Sequence, residues 1–272
     1  MGKLIKSDFM KLSKSRTLLI CSLIALVLGA VMSLLFINAW NSVGESIQQA
    51  QKMMLDMGMD EEVVEETFSI LPKPYIWSYA NMLLGDGTIT LLAAICISVF
   101  TASEYSMGTL KNTVSRGFTR GQIYLSKLVV SCVSTLILTA AYLIGGMTVC
   151  LIFVRGTSEL NFGQMAMIAV TQILLLFAMA SLYYTIAIII KKTGSTVAMS
   201  IVLPTFVSTM IVTTTYGDKD FAKIARYWLF ETPVYVQKFC LNGQIYIPLL
   251  LAAGYFAVTV AAGYLTFRRQ DC

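Results

Sequence analysis

Glu104-Tyr-Ser-Met-Gly-Thr-Leu-Lys-Asn-Thr-Val-Ser-Arg116, continuing as Gly117-Phe-Thr-Arg-Gly-Gln-Ile-Tyr-Leu-Ser-Lys127, is a charged, amphipathic passage set between two strongly apolar stretches. Met107, Leu110, Val114 and Phe118 fall at i, i+3, i+7 and i+11, along one face of a helix. Lys111, Arg116 and Arg120 fall largely elsewhere. Gly117 is placed to stop that helix. Thr119 with Gln122 three residues on has the form of a capping box, and Phe118 and Ile123 are spaced as its hydrophobic staple. The passage reads as a short helix at a membrane surface, a sharp turn and re-entry into the membrane, which is the layout of a lever between two spans.

The flanking stretches make this reading possible because the chain is not composed like a soluble domain: 57% of its 272 residues are hydrophobic and 13% charged, with mean hydropathy +0.73. A membrane helix needs about 20 apolar residues to cross about 30 Å of hydrocarbon. Six candidate spans satisfy this or come near it: Leu18–Trp40, Thr88–Ser103, Ser126–Val154, Gly163–Ile190, Ser195–Thr215 and Ile245–Phe267. The second is short, and Tyr75–Leu84 is its natural outward continuation, with a break at Gly85-Asp86-Gly87. These runs are continuously apolar and lack the strict alternation of a barrel strand, so the fold class is an all-α polytopic membrane protein. The resulting division is an amphipathic arm (1–17), an external loop (41–87), a coupling segment (104–125), external helices (218–243) and the six spans (18–40, 88–103, 126–154, 163–190, 195–215 and 245–267).

Charge then orients the chain. With both termini on one side, that side holds Lys3, Lys6, Lys11, Lys14, Arg16, Lys111, Arg116, Arg120, Lys127, Lys191, Lys192, Arg268 and Arg269, thirteen of the twenty basic residues. Its only acids are Asp8, Glu104 and Asp271, whereas the 41–87 loop alone carries eight. By the positive-inside rule the termini and the lever are cytoplasmic. The net charge of +5 is then a topology signal, with no nucleic-acid partner implied. The first span is too long, and too poorly followed by small residues, for a cleaved signal peptide.

Several chemistries are disfavoured. The six cysteines are scattered and show no Cys-x-x-Cys spacing, so neither a disulfide framework nor a metal site is indicated. Histidine is absent, no nucleophile–base pair can be assembled, and there is no Gly-x-x-x-x-Gly-Lys-Ser/Thr phosphate loop. The cores of the spans are expected to carry no Asp, Glu, Lys or Arg, which leaves ion-coupled transport without an obvious site. Energy for any transport would therefore enter from a partner at the lever.

Six spans, cytoplasmic termini, a basic amphipathic arm, and Glu104-Tyr-Ser-Met-Gly-Thr-Leu-Lys-Asn followed by Ser115-Arg116-Gly-Phe-Thr-Arg120 and Lys127 resemble the permease subunits of type-2 ABC exporters. The likeness is nearest to the small bacterial permeases of bacteriocin immunity, bacitracin resistance and peptide or drug efflux. It covers the whole chain in architecture and residues 103–127 in motif. It implies a non-catalytic, multi-pass subunit of the bacterial plasma membrane, paired with a second permease copy or a related one. ATP and Mg would be bound by two copies of a partner ATPase. It further implies that the segment after the second span docks on that ATPase, with Glu104, Met107, Gly108, Thr109, Leu110, Lys111, Val114 and Arg116 at the contact. Ala25 and Gly29 in the first span become dimer-contact candidates, because related permeases join through their first and fifth spans.

Other features carry weaker readings. In the arm, Leu4, Ile5, Phe9 and Leu12 are placed to face acyl chains while the lysines meet headgroups. Thr196, Ser200, Pro204 and Ser208 recur every fourth residue of the fifth span, beside Thr205, Thr209 and Thr213. They read either as a hydroxyl-lined pathway or as hydroxyls bonded to their own helix around a proline kink. Ala253, Ala257 and Ala261 form a small-residue ladder in the last span. Gly194 and Ser195 read as a tight turn, and Thr232 with Pro233 as the start of an external helix. The Met-rich acidic stretch 41–71 reads either as a surface for amphipathic, peptide-like substrates of cationic character or as one that packs against the second copy or the external face. Three rivals remain: a non-transporting membrane sensor or immunity protein, a gradient-driven carrier, and an exporter of lipid or glycan.

Overall fold

A computed structural model of the chain describes residues 2–56, 76–106, 108, 113, 115, 117–154, 162–215 and 227–269. Among these residues there are nine helices and no strand: α1 (Gly2–Ser13), α2 (Arg16–Asp56), α3 (Ile76–Gly85), α4 (Thr88–Ser106), α5 (Arg120–Phe153), α6 (Phe162–Ile190), α7 (Thr193–Thr215), α8 (Thr232–Leu241) and α9 (Tyr246–Arg269). Six of them, α2, α4, α5, α6, α7 and α9, are long and apolar enough to cross a membrane. The chain is an all-α, multi-pass membrane protein.

The helices run further than their apolar stretches. α2 has 41 residues, about 60 Å at 1.5 Å per residue, roughly twice the hydrocarbon thickness. Its last turns therefore stand clear of the membrane as a continuous helix, so 41–56, assigned to the external loop in sequence, is helical. The stretch 57–75 lies outside the described residues. Asp86 makes the break between α3 and α4: its Oδ1 accepts from the Thr88 amide at 2.9 Å, and Gly87 takes the left-handed conformation (φ 79°).

The widest helix contact is α2 on α5, followed by α9 on α6. α2 and α5 approach so closely because glycines meet backbone in the seam. A Cβ on Gly29 would lie 2.1 Å from the Tyr142 carbonyl oxygen, and one on Gly145 would lie 1.9 Å from that of Leu26. Ala25 is fully buried and Gly29 is held against α5. Both are committed within the subunit, which corrects their reading as contacts to a second copy. The outward face of α2 is instead Leu19, Leu23, Val27 and Leu35.

α9 meets α6 through hydroxyls as well as apolar atoms. Thr185 Oγ1 donates to the Thr259 carbonyl at 3.0 Å, and the Ser181 and Thr259 hydroxyls pair at 2.5 Å. Ala253, Ala257 and Ala261 are exposed on the other side of α9, so the ladder takes no part in this packing. α4 lies buried between α6 and α7.

Candidate functional site

The ends of the helices show which parts of the chain share a side. Asp8 of α1 meets Ser126 of α5, and Arg120 Nη1 donates to the Arg268 carbonyl at 2.7 Å. Lys191, after α6, stands over the Tyr105 ring of α4 at 5.9 Å. The N-terminal arm, the roots of the 104–127 segment, the α6–α7 turn and the end of α9 thus form one basic end of the bundle.

At its centre is a cluster of four charges. Local sequence forces it: Leu4, Asp8 and Leu12 lie at i, i+4 and i+8 of α1, and all three are buried at 6%, 2% and 1% exposure. α1 thus turns its inner stripe onto the bundle rather than into lipid, which corrects the reading of Leu4 and Leu12 as lipid-facing; Phe9 and Met10 are exposed. An acid on a buried stripe needs compensation. Asp8 Oδ2 accepts from the Ser126 hydroxyl at 2.7 Å, and its Oδ1 lies 3.8 Å from Lys127 Nζ. Lys127 Nζ donates to Glu104 Oε2. Lys11 completes the cluster from its half-exposed rim, 3.7 Å from Asp8 and 3.6 Å from Glu104.

The four formal charges cancel, and three of them, Asp8, Glu104 and Lys127, are nearly sealed from solvent. Lys127 stands in the second turn of α5, inside the third span drawn from sequence, so the expectation of uncharged span cores fails at this level. Glu104, expected in a separate surface helix, belongs to the last turns of α4. The cluster therefore joins α1, the exit of α4 and the entry of α5, the two ends from which the 104–127 segment hangs.

Within that segment, Gly108 has φ 66° and its amide donates to the Tyr105 carbonyl at 3.2 Å, ending α4 in a left-handed turn. Gly117 has φ 83°. The capping box forms: Gln122 N donates to Thr119 Oγ1 at 3.4 Å, and Thr119 N to Gln122 Oε1 at 3.2 Å. Phe118 packs on the core that contains the fully buried Ile123. Met107, Thr109, Leu110, Lys111, Val114 and Arg116 lie outside the described residues.

The hydroxyl rows of α7 part company. Thr196, Ser200 and Pro204 are buried, with Ser98 Oγ of α4 donating to Ser200 Oγ at 3.0 Å. Thr205 and Thr209 are exposed and donate to the carbonyls of Ile201 and Thr205 at 2.7 and 2.8 Å. Thr196 likewise bonds the Lys192 carbonyl at 2.7 Å. Ser200 is thus tied to α4, while Thr196, Thr205 and Thr209 bond their own helix, and Pro204, Thr205 and the half-buried Ser208 line a cleft. The turn before α7 is carried by Lys191 at φ 63°, with helix from Thr193, so Gly194 and Ser195 are already helical.

The opposite end has a network with no sequence signal. Asn81 Nδ2 of α3 donates to Gln237 Oε1 of α8 at 2.9 Å, and Gln172 Nε2 of α6 donates to the Asn81 side chain at 3.2 Å and the Pro233 carbonyl at 2.8 Å. α8 begins at Thr232 with Glu231 as its cap residue. Thr232 Oγ1 donates back to the Trp228 carbonyl at 2.8 Å and does not cap the helix as expected. The first of the two external helices expected over 218–243 falls largely outside the described residues.

A membrane bundle of six spans whose arm and first connecting segment are tied by buried ion pairs defines the class: a polytopic membrane protein with one structured basic face. The sequence model of the family described as protein of unknown function, DUF2705, matches residues 66–272, and the chain belongs to that family. No curated protein matches the sequence.

Proposed function

We propose that this chain is the membrane-spanning permease of an ATP-driven exporter of the type-2 ABC class, working in the bacterial plasma membrane with its basic end in the cytoplasm. A partner ATPase, present in two copies, binds ATP and Mg and docks on the 104–120 segment, while a second permease, identical or related, completes the path. This chain performs no bond chemistry. The substrate is hydrophobic or amphipathic, of the peptide or peptide-like antibiotic kind.

The observation that carries the reading is the buried cluster of Asp8, Lys11, Glu104 and Lys127. A lever is useful only if its roots are stiff. Ion pairs shielded from water cost several kcal/mol to part, so a push on 104–120 is passed to α4, α5 and α1 together instead of being absorbed in a loose loop. α4 in turn packs on α6 and α7, which carries the displacement into the bundle.

The test is site-specific photocrosslinking in cells, with a photoreactive residue at Ser115, exposed on the segment, or at Tyr246, exposed at the far end. The expected product from Ser115 and not from Tyr246 is a conjugate with an ABC ATPase subunit, identified by mass spectrometry. Failure to capture an ATPase from Ser115, with the protein inserted normally, overturns the reading.

A further inference from the structure

Away from the charged cluster, at the opposite end of the bundle, a cleft of about 300 Å³ opens between the α3–α4 turn, α6, α7 and the start of α8. Its lining residues include Asp86 and Glu231, Tyr183 and Phe230, and Pro204 with Ser208. The rings of Tyr183 and Phe230 stand 6.2 Å apart at 49°, an aromatic pair of the kind that attracts cations. Among the described residues, no Lys or Arg lines the cleft.

The two acids differ in how they are held. Asp86 is occupied structurally, accepting from the Thr88 amide and from the Tyr142 hydroxyl. Glu231 is half-buried, caps nothing with its side chain, and is in no ion pair among the described residues. Burial raises the carboxyl pKa of both. A carboxylate removed from water without a partner is an unmet demand for positive charge. The volume and the aromatic pair fit an organic cation better than a bare metal ion, which requires several oxygens closing around it.

We infer that this cleft is a binding site for the ammonium or guanidinium head of an amphipathic organic cation, with Glu231 as counter-charge, Phe230 and Tyr183 against the head, and Asp86 adding to the field. The site goes beyond the permease reading and does not depend on it, because binding is a property of this chain alone.

The experiment is equilibrium dialysis of labelled octylammonium against the full chain in zwitterionic lipid discs, with binding to protein-free discs subtracted. Octanol and octanesulfonate are the neutral and anionic controls. Saturable binding of the ammonium alone is expected, weakened about tenfold or more in Glu231→Gln, as for loss of one charge-assisted contact. Glu45→Gln, on the distant exposed extension of α2, leaves it unchanged. Because Glu231 has no ion-pair partner among the described residues and burial disfavours its charge, its neutralisation should not lower the thermal unfolding midpoint. Ser208→Phe, which fills the cleft from α7 and leaves both acids intact, should abolish binding and serves if the first variant does not fold. Equal binding of octanol, wild-type affinity in Glu231→Gln or in Ser208→Phe, or displacement of octylammonium by millimolar calcium as effective as by unlabelled ammonium would each overturn the assignment.

Discussion

Lys127 is the residue on which the basic end turns, since it touches both buried acids while Lys11 reaches them only from the rim. Removing a buried charge strands its partners, so Lys127→Met is expected to cost about 3–5 kcal/mol of stability. Lys11→Ala, at a side chain 48% exposed, should cost no more than about 1 kcal/mol. Denaturant titration of the purified chain, followed by circular dichroism, measures both. Combining Lys127→Met with Glu104→Gln should recover part of the loss, because the second change removes a stranded charge. At the other end, pH is the probe. Burial holds the Glu231 and Asp86 carboxyls above the ordinary range, so each takes up its proton at a higher pH than an exposed acid would. Cation binding in the cleft should be lost as pH falls through those raised values, earlier than for a surface carboxylate. Among the described residues, the other titratable groups there are Tyr183 of α6 and, against Asp86, Tyr142 of α5, while α7 brings Pro204, Thr205 and Ser208. Octylammonium affinity measured from pH 7 downward checks this, and a flat profile would contradict it.

Among the elements, α2 and α5 depend on glycine where their backbones meet. Gly29→Ala and Gly145→Ala each drive a methyl into a carbonyl that cannot turn aside, and should destabilise the chain by about 1–3 kcal/mol or prevent accumulation. Gly254→Ala, with nothing within 4 Å of the new Cβ, should be neutral or slightly stabilising. Thermal unfolding monitored by size-exclusion fluorescence distinguishes these outcomes. The spans and the Thr119 capping box were legible because hydropathy and capping are local, written in neighbouring residues. The glycine seam was visible as Ala25 and Gly29, but not its partner, since small residues announce close approach without saying to what. The Asp8–Lys127 pairing joins positions 119 residues apart, and its signal was indirect: an acid on the buried stripe of α1 and a lysine inside an apolar run, each read singly as topology. The Asn81–Gln172–Gln237 network carried no local signal at all, because isolated amides in apolar helices acquire meaning only when tertiary packing brings them together. The same holds for the first hydroxyl row of α7, where periodicity left a path or self-bonded hydroxyls open and gave no sign of the Ser98–Ser200 bond to α4.

For the whole molecule, the two ends are chemically distinct: one is basic and bound by ion pairs, and the other holds the acidic cleft and the amide network. In the proposed exporter these ends divide the labour, energy entering at the first and a cationic amphiphile handled at the second. The exposed apolar faces of α2, α7 and α9 leave room for lipid and for the second permease. The central claim is that an ATPase drives this chain through the 104–120 segment, and Leu110 lies on that segment's apolar face by its spacing. The deciding measurement is co-purification with the ABC ATPase captured from Ser115, together with ATP hydrolysis in lipid discs, for wild type and Leu110→Asp. The account predicts that the variant, still folded and inserted, loses both the complex and its hydrolysis; a variant that keeps the complex and hydrolyses ATP at the wild-type rate would contradict it.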